Sequence, residues 1–114
     1  MNKIVVNCFD NQAVEVDATV FGEWAAHPGI SGDGRRLHLD WWVVTHVPTG
    51  RTFASAVGRL TEGEALELAR VMGERVPVGL IPDIPREVLF YELPLDVRKF
   101  LRSVIFDVRG ELLV

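Results

Sequence analysis

The chain has 114 residues, of which 48% are hydrophobic and 25% are charged, and its formal net charge is -4. This composition is close to the globular average and disfavours collagen-like, coiled-coil and disordered classes, while the length predicts one domain spanning residues 1–114. The acidic balance disfavours a general nucleic-acid binder, which must neutralise phosphates, and no apolar run approaches the roughly 20 residues of a membrane helix. Cys8 is the only cysteine, which excludes an internal disulfide and fits a reducing compartment, so we predict a cytoplasmic location and no membrane partner.

Two strand patterns open the chain and predict a first hairpin. Lys3 to Phe9 is mostly apolar, and Ala13 to Val20 alternates apolar with polar residues, as a strand with two different faces does. Asp10 to Gln12 between them has turn-forming residues. Phe21 to Gly34 contains a proline and three glycines within eight residues, so we predict a long loop that carries His27.

A second hairpin is predicted over Arg35 to Val57, with the reversal at Val47 to Arg51. Pro48 suits the first corner of a turn, and Gly50 permits the backbone angles that close it. Strict alternation divides the side chains of the first strand between two faces, one with Leu37, Leu39, Trp41 and Val43 and the other with His38, Asp40, Trp42, Val44 and His46. Both faces therefore carry large apolar side chains, unlike a strand with one solvated side.

Trp42 and Val44 need a cover, and two interpretations remain open. A helix or loop of the same chain would follow from the usual layering of domains. A partner surface would follow from the enrichment of tryptophan at binding hot spots and from the interaction sites that rimmed apolar patches mark. The partner would be another protein or a second copy of the chain, in which case the protein forms a homodimer.

A first helix is predicted over residues 61–76. Thr61 and Glu64 match a capping box, in which each residue satisfies an amide of the other. Pro77 prevents propagation, so the helix should end near Arg75 or Val76. The apolar residues at helical spacing are Ala65, Leu68, Ala69, Met72 and Val76. This stripe predicts a helix that packs on the sheet.

A second helix is predicted over residues 95–108. Its apolar positions follow i, i+3, i+4, i+7, i+8 and i+11 from Val97 to Val108. The opposite face carries Arg98, Lys99, Arg102 and Phe106. This face is either a solvated exterior or a docking surface for an acidic protein or a nucleic acid, and for docking the acidic chain favours a protein.

Three shorter segments are less regular. Val76 to Pro85 combines three prolines and a glycine with apolar residues, which predicts an extended segment across the domain surface. Its apolar side chains would also suit recognition of a partner. Glu87 to Leu93 is a short strand or helix, and Glu111 to Val114 is a candidate edge strand.

The three histidines invite an enzymatic interpretation, and their spacing weakens it. His38 and His46 are eight residues apart on one strand, or roughly 26 Å, which is too far to share a metal. His38 and Asp40 lie about 7 Å apart on one face. Together with His46 they are weak polar-site candidates, but a zinc ion needs further ligands. We therefore predict no catalytic residue, no metal and no cofactor, and keep an enzyme only as an alternative.

These elements predict a single α+β domain, an antiparallel sheet of four to five strands built from two hairpins and packed by two helices. In size and style the chain is similar to small proteins of bacteria and their phages. We predict a cytosolic protein that acts through protein–protein contacts, in the manner of a phage or mobile-element inhibitor of a host enzyme, including the anti-CRISPR type. The predicted contact residues are Trp42, Val44, Arg98, Lys99, Arg102 and Phe106. The alternatives are a small enzyme using His38 and Asp40, and a nucleic-acid-binding accessory protein using the basic helix.

Overall fold

A computed structural model describes residues 2–7, 13–30, 37–52, 60–81 and 93–109 of the chain. In chain order these residues form β1 (Asn2–Asn7), β2 (Ala13–Phe21), β3 (Trp24–Ile30), β4 (Leu37–His46), β5 (Arg51–Thr52), α1 (Glu62–Arg75) and α2 (Leu95–Arg109). The predicted fold class is confirmed: an α+β domain with one antiparallel sheet and two packing helices.

The described strands run antiparallel in the order in which they follow along the chain. The sheet curls, so that β1 comes into contact with β5. Its inner face is filled by small aliphatic side chains, namely Ile4, Val6, Val16, Ala18 and Ala25. Its outer face shares a core with the helices, which includes Trp24, Ala26, Val44, Leu68, Met72 and Leu101. The apolar residues of these two clusters, one on each face of the sheet, are thus covered by the chain itself.

The predicted first hairpin is confirmed. β1 pairs with β2, from Asn2 opposite Ala18 to Asn7 opposite Ala13. On the outer face, Lys3 lies 3.7 Å from a carboxylate oxygen of Glu15 on β2, and both side chains are exposed. Such a pair adds little stability. Cys8 and the predicted turn at residues 10–12 lie outside the described residues.

The predicted loop over residues 21–34 is wrong for residues 24–30, which form β3. The chain reverses tightly before this strand, and Phe21 pairs with Trp24. Gly22 in the reversal has φ 63°, a left-handed conformation that glycine adopts without steric cost. One glycine at the start of the segment therefore allows a hairpin turn, and residues 31–34 of the predicted loop lie outside the described residues.

Pro28 is tolerated in β3 because the ladder is irregular beside it. Pro28 pairs with Trp42, but the next residue, Gly29, pairs with His38. Residues 39–41 of β4 therefore have no ladder partner on β3, and they form a bulge. A proline at a bulge does not remove a hydrogen bond from a regular ladder.

The bulge overturns the strict alternation predicted for β4. His38 and Trp41 would point to opposite faces of a regular strand. In the structure their rings stack, with centroids 5.2 Å apart and planes 23° apart. Trp41 also lies directly over Gly29, where any Cβ atom would overlap the six-membered ring of the indole. The fit of Trp41 on Gly29 thus requires the glycine.

The predicted second hairpin is confirmed at its turn. β5 pairs with the end of β4, with Arg51 opposite His46. Gly50 has φ 70°, and its N–H donates to the carbonyl oxygen of His46 at 2.8 Å. Further along, Leu60 forms an isolated bridge with Trp42. The rest of the predicted return strand, residues 53–57, lies outside the described residues.

Helix α1 begins where the capping box predicts. The Thr61 hydroxyl oxygen accepts the Glu64 N–H at 3.2 Å, and the Glu64 carboxylate accepts the Thr61 N–H at 2.9 Å. The helix ends at Arg75, with Val76 as its C-cap before Pro77. The predicted stripe is buried in full: Ala65, Leu68, Ala69, Met72 and Val76.

Helix α2 confirms the second predicted helix. Its buried residues are Val97, Leu101, Val104 and Ile105, and Phe100 and Val108 pack partly against the same core. Arg75 of α1 contacts Asp107 of α2, with Nη1 and Oδ2 2.7 Å apart, but both side chains remain largely exposed. The apolar stripe therefore holds α2 in place, and the opposite face is left outward.

The segment after α1 does not run extended as predicted. Residues 77–80 form a turn, closed by the Leu80 N–H donating to the Pro77 carbonyl at 3.1 Å, with Gly79 at φ 82°. On either side of the turn Val76 and Ile81 are buried. The predictions for residues 82–92 and 111–114 lie outside the described residues.

Candidate protein-binding surface

Helix α2 presents four exposed side chains along one line. Leu95, Lys99, Arg102 and Phe106 follow one another at intervals of four, three and four residues, which places them on one side of a helix. Leu95 is 56% exposed and Phe106 is 53% exposed, and both cations between them are exposed. We call these four residues the α2 basic face. Two apolar side chains thus frame two positive charges.

Within the part of the chain that the structure describes, the two cations of the α2 basic face have no ion-pair partner. Neither Lys99 nor Arg102 forms an ion pair with another described residue, whereas Arg70 on α1 contacts Glu67 and Glu74 at 2.6 and 2.8 Å. Neighbouring carboxylates therefore meet the charge of Arg70, and no described carboxylate forms an ion pair with Lys99 or Arg102.

Arg98, a predicted contact residue, lies beside this face and is only half exposed. Its Nε is buried and has no hydrogen-bond partner among the described residues. The aliphatic stem of an arginine commonly packs on apolar surface in this way. Arg98 therefore combines packing with charge, and a substitution there would disturb both.

The structure separates Trp42 from Val44. Val44 is 1% exposed and belongs to the core under the helices, so the same chain covers it and a partner cannot reach it in this fold. Trp42 is half-buried against that core, and its backbone N–H donates to the Leu60 carbonyl at 2.7 Å. The Trp42 side chain is therefore only partly available for a contact.

The weak polar-site candidates do not form one site. His38 stacks on Trp41 at the β4 bulge, and Asp40 is exposed within the bulge. His46, at the other end of β4, is 1% exposed. Leu39, at the bulge, is 76% exposed, and Leu37 beside it is 53% exposed.

His27 lies within the sheet and not in a loop near His38. It is fully buried on the inner face, where Nε2 lies 2.6 Å from the Thr45 hydroxyl and Nδ1 lies 2.7 Å from the Pro28 carbonyl oxygen. A carbonyl only accepts, so Nδ1 carries the proton and neutral Nε2 accepts from Thr45. Burial lowers the pKa of His27, although the bond to Pro28 opposes that shift. The residue is a satisfied, neutral core histidine.

His46 lies on the outer face of the sheet, tilted against Trp24 with ring centroids 4.9 Å apart. Its Nδ1 lies 3.0 Å from the Thr49 hydroxyl oxygen, and its Nε2 lies 3.9 Å from Oε1 of Glu23. Burial lowers the pKa of His46, and the Glu23 carboxylate partly offsets this. The pairing of His46 with Glu23 was not predicted, because the residues meet only through β3 and β4.

The histidines thus point to separate places: one to the inner face, one to the outer face and one to the bulge. Within the described ranges, no three His, Cys, Asp or Glu side chains are grouped as metal ligands are. Likewise, none of the helices described here is long and apolar enough to cross a membrane. Comparisons with family models, with curated proteins and with solved structures give no match to this chain.

Proposed function

We propose that this chain acts by binding a protein with an acidic surface through the α2 basic face. The observation that carries the proposal is that Lys99 and Arg102 make no ion pair with a described residue and lie between exposed Leu95 and Phe106. Arginine and aromatic side chains are enriched among the residues that dominate binding energy. Apolar anchors beside charged groups match the usual anatomy of such a contact.

An acidic protein suits this face better than a nucleic acid does. The whole chain carries a net charge of -4, so a long polyanion would be repelled by most of the molecule. A compact acidic patch would meet only the local positive charge. The four side chains span a helix length of about 17 Å at 1.5 Å per residue, which fits a limited contact.

The test reverses the two exposed charges. Lys99→Glu/Arg102→Glu should weaken binding to the partner isolated by affinity purification about tenfold or more, because attraction becomes repulsion. Binding of the unaltered protein should also weaken with added salt. The matched control is Lys3→Glu/Arg70→Glu, which changes net charge equally at exposed positions away from α2 and should bind normally.

Equal affinity of the α2 double variant and the unaltered protein at low salt would remove this face from the functional surface. Equal loss in both double variants would indicate dependence on net charge instead. Phe106→Ala separates the apolar contribution, since Phe106 is outside the core and its removal should leave folding intact.

The finer proposal is that binding inhibits the partner, as expected of a phage or mobile-element inhibitor of a host enzyme. This proposal rests only on the expected mode of action, because a protein that inhibits through a surface contact needs no catalytic group of its own. Adding the chain to the purified partner should lower the partner's activity at the concentrations where binding occurs. The Lys99→Glu/Arg102→Glu variant should then fail to inhibit.

A further inference from the structure

The four side chains of the α2 basic face follow a nearly straight line along the helix. At about 100° of rotation per residue, positions 95, 99, 102 and 106 fall within an arc of about 60°. At about 1.5 Å of rise per residue, their successive intervals along the helix axis are about 6, 4.5 and 6 Å. The core residues Val97, Leu101 and Val104 are buried on the other side of the helix. The line is therefore a narrow ridge that points away from the core.

Intervals of four, three and four residues are the repeat with which two α-helices pack side by side. The two end positions of the ridge, Leu95 and Phe106, are exposed and apolar, and the two middle positions, Lys99 and Arg102, are exposed cations. This order reads the same from either end, so a second helix can pack along the ridge in either direction. The ridge thus has the spacing of one half of a helix pair.

We propose that the partner docks an acidic amphipathic α-helix along the α2 basic face. This inference rests on the proposed function, because it names the structural class of the acidic surface that the face binds. The matching helix carries apolar, acidic, acidic and apolar residues at the same intervals. Its carboxylates meet Lys99 and Arg102, which form no ion pair with a described residue, and arginine can bind a carboxylate through two hydrogen bonds. Its apolar residues cover Leu95 and Phe106.

An extended strand of the partner fits the ridge less well than a helix does. Residues on one face of a strand recur at intervals of about 6.7 Å, so the fourth lies about 20 Å from the first. Leu95 and Phe106 are only about 17 Å apart along the helix axis. A strand also repeats at equal intervals, whereas the ridge alternates long and short ones. The spacing of the ridge therefore favours a helix.

A second copy of this chain is not the occupant that the charges favour. Two α2 basic faces packed together would place Lys99 and Arg102 against the same two cations, and like charges in contact oppose association. On α1, the exposed carboxylates of Glu67 and Glu74 already contact Arg70. The favoured occupant is therefore an acidic helix of a different protein.

The first experiment titrates the unaltered protein with two synthetic alanine-rich helical peptides and follows its backbone amides by NMR. One peptide carries leucine, glutamate, glutamate and leucine at intervals of four, three and four residues. The other has the same composition and net charge, but these four residues are distributed around the helix, and circular dichroism verifies equal helicity. The first peptide should bind at least about tenfold more tightly, because it alone presents all four side chains on one side. The shift changes should be concentrated at residues 95–106.

The second experiment exchanges the charges. Lys99→Glu/Arg102→Glu should bind the acidic peptide about tenfold or more weakly, and it should bind a peptide with lysines in place of both glutamates more tightly than the unaltered protein does. Leu95→Ala/Phe106→Ala should also weaken binding of the acidic peptide. The matched control is Leu39→Ala, which truncates an exposed leucine on β4 and should leave that binding unchanged.

Equal affinity for the two acidic peptides, or binding of neither at about 1 mM, would overturn the helical partner. These results would not decide the proposed function, because an acidic surface of another shape can still bind the α2 basic face. The proposed function has its own test with the purified partner. Undiminished affinity of Lys99→Glu/Arg102→Glu for that partner at low salt would overturn the proposed function, and this inference with it.

Discussion

At the scale of single residues, the register of β3 against β4 shifts at Gly29, where the Trp41 ring of β4 packs on the glycine. The bulge at residues 39–41 exists where Trp41 folds over Gly29, and no Cβ fits between them. In the sequence, Pro28 and Gly29 predict a loop, because proline and glycine are typical of turns and loops when no tertiary contact is known. Only the tryptophan across the ladder explains why a glycine is required there.

Gly29→Ala should therefore destabilise the fold by about 1–3 kcal/mol, the usual cost of forcing extra volume into a packed site. The free energy of unfolding from denaturant titration is the measurement. Gly63→Ala is the matched control, because a Cβ at Gly63 meets nothing within 4 Å. That helical change should be neutral or stabilise by up to about 1 kcal/mol. Equal effects of the two substitutions would contradict the proposed role of Trp41.

At the scale of elements, α1 was predictable because its determinants are local. The capping box lies within Thr61 to Glu64, the apolar stripe repeats along the helix itself, and Pro77 ends it. Helix α2 was predictable for the same reason. By contrast, β3 was missed because its turn, its bulge and its pairing depend on β2 and β4.

Thr61→Ala tests the start of α1. Removing the hydroxyl leaves the Glu64 amide without its acceptor, so the free energy of unfolding should fall by about 1 kcal/mol. Glu64→Gln, which can still complete a capping box, should cost less. Coincident denaturation midpoints for Thr61→Ala and the unaltered protein would show that water replaces the cap.

At the scale of the whole molecule, two buried histidines link stability to pH. The pKa values of His27 and His46 are both lowered from 6.5 by burial, so the unfolded chain binds protons more readily than the folded one. Stability is therefore fully present above about pH 6.5 and is lost as the pH falls toward the folded-state values.

Denaturant titrations from about pH 7.5 to 5.5 should show unfolding free energy falling, with each histidine contributing at most about 1.4 kcal/mol per pH unit. The slope should be smaller in His27→Gln/His46→Gln, whatever the absolute stability of that variant. A stability that does not change across this range in the unaltered protein would contradict neutral burial of both rings.

Self-association is a second property of the whole molecule. The half-buried Trp42 and the nearby exposed Leu39 predict a dimer contact on β4. Analytical ultracentrifugation should then show a dimer for the unaltered protein and a monomer for Trp42→Arg. Since Trp42 also packs on the core, Leu39→Arg is the cleaner variant, because Leu39 is outside it. A monomer at high micromolar concentration of unaltered protein would end this prediction.

The sequence by itself determined the two helices, the first hairpin, the turn of the second and the outward position of Lys99, Arg102 and Phe106. Each of these depends on periodicity, caps or turn residues within one short stretch, where the physical cause and its effect are neighbours along the chain. Only the tertiary structure decided that residues 24–30 form a strand, that Val44 is buried beneath helices, and that Glu23 faces His46. These depend on which strands lie side by side, and antiparallel pairing brings together side chains whose spacing in the sequence carries no sign of the contact.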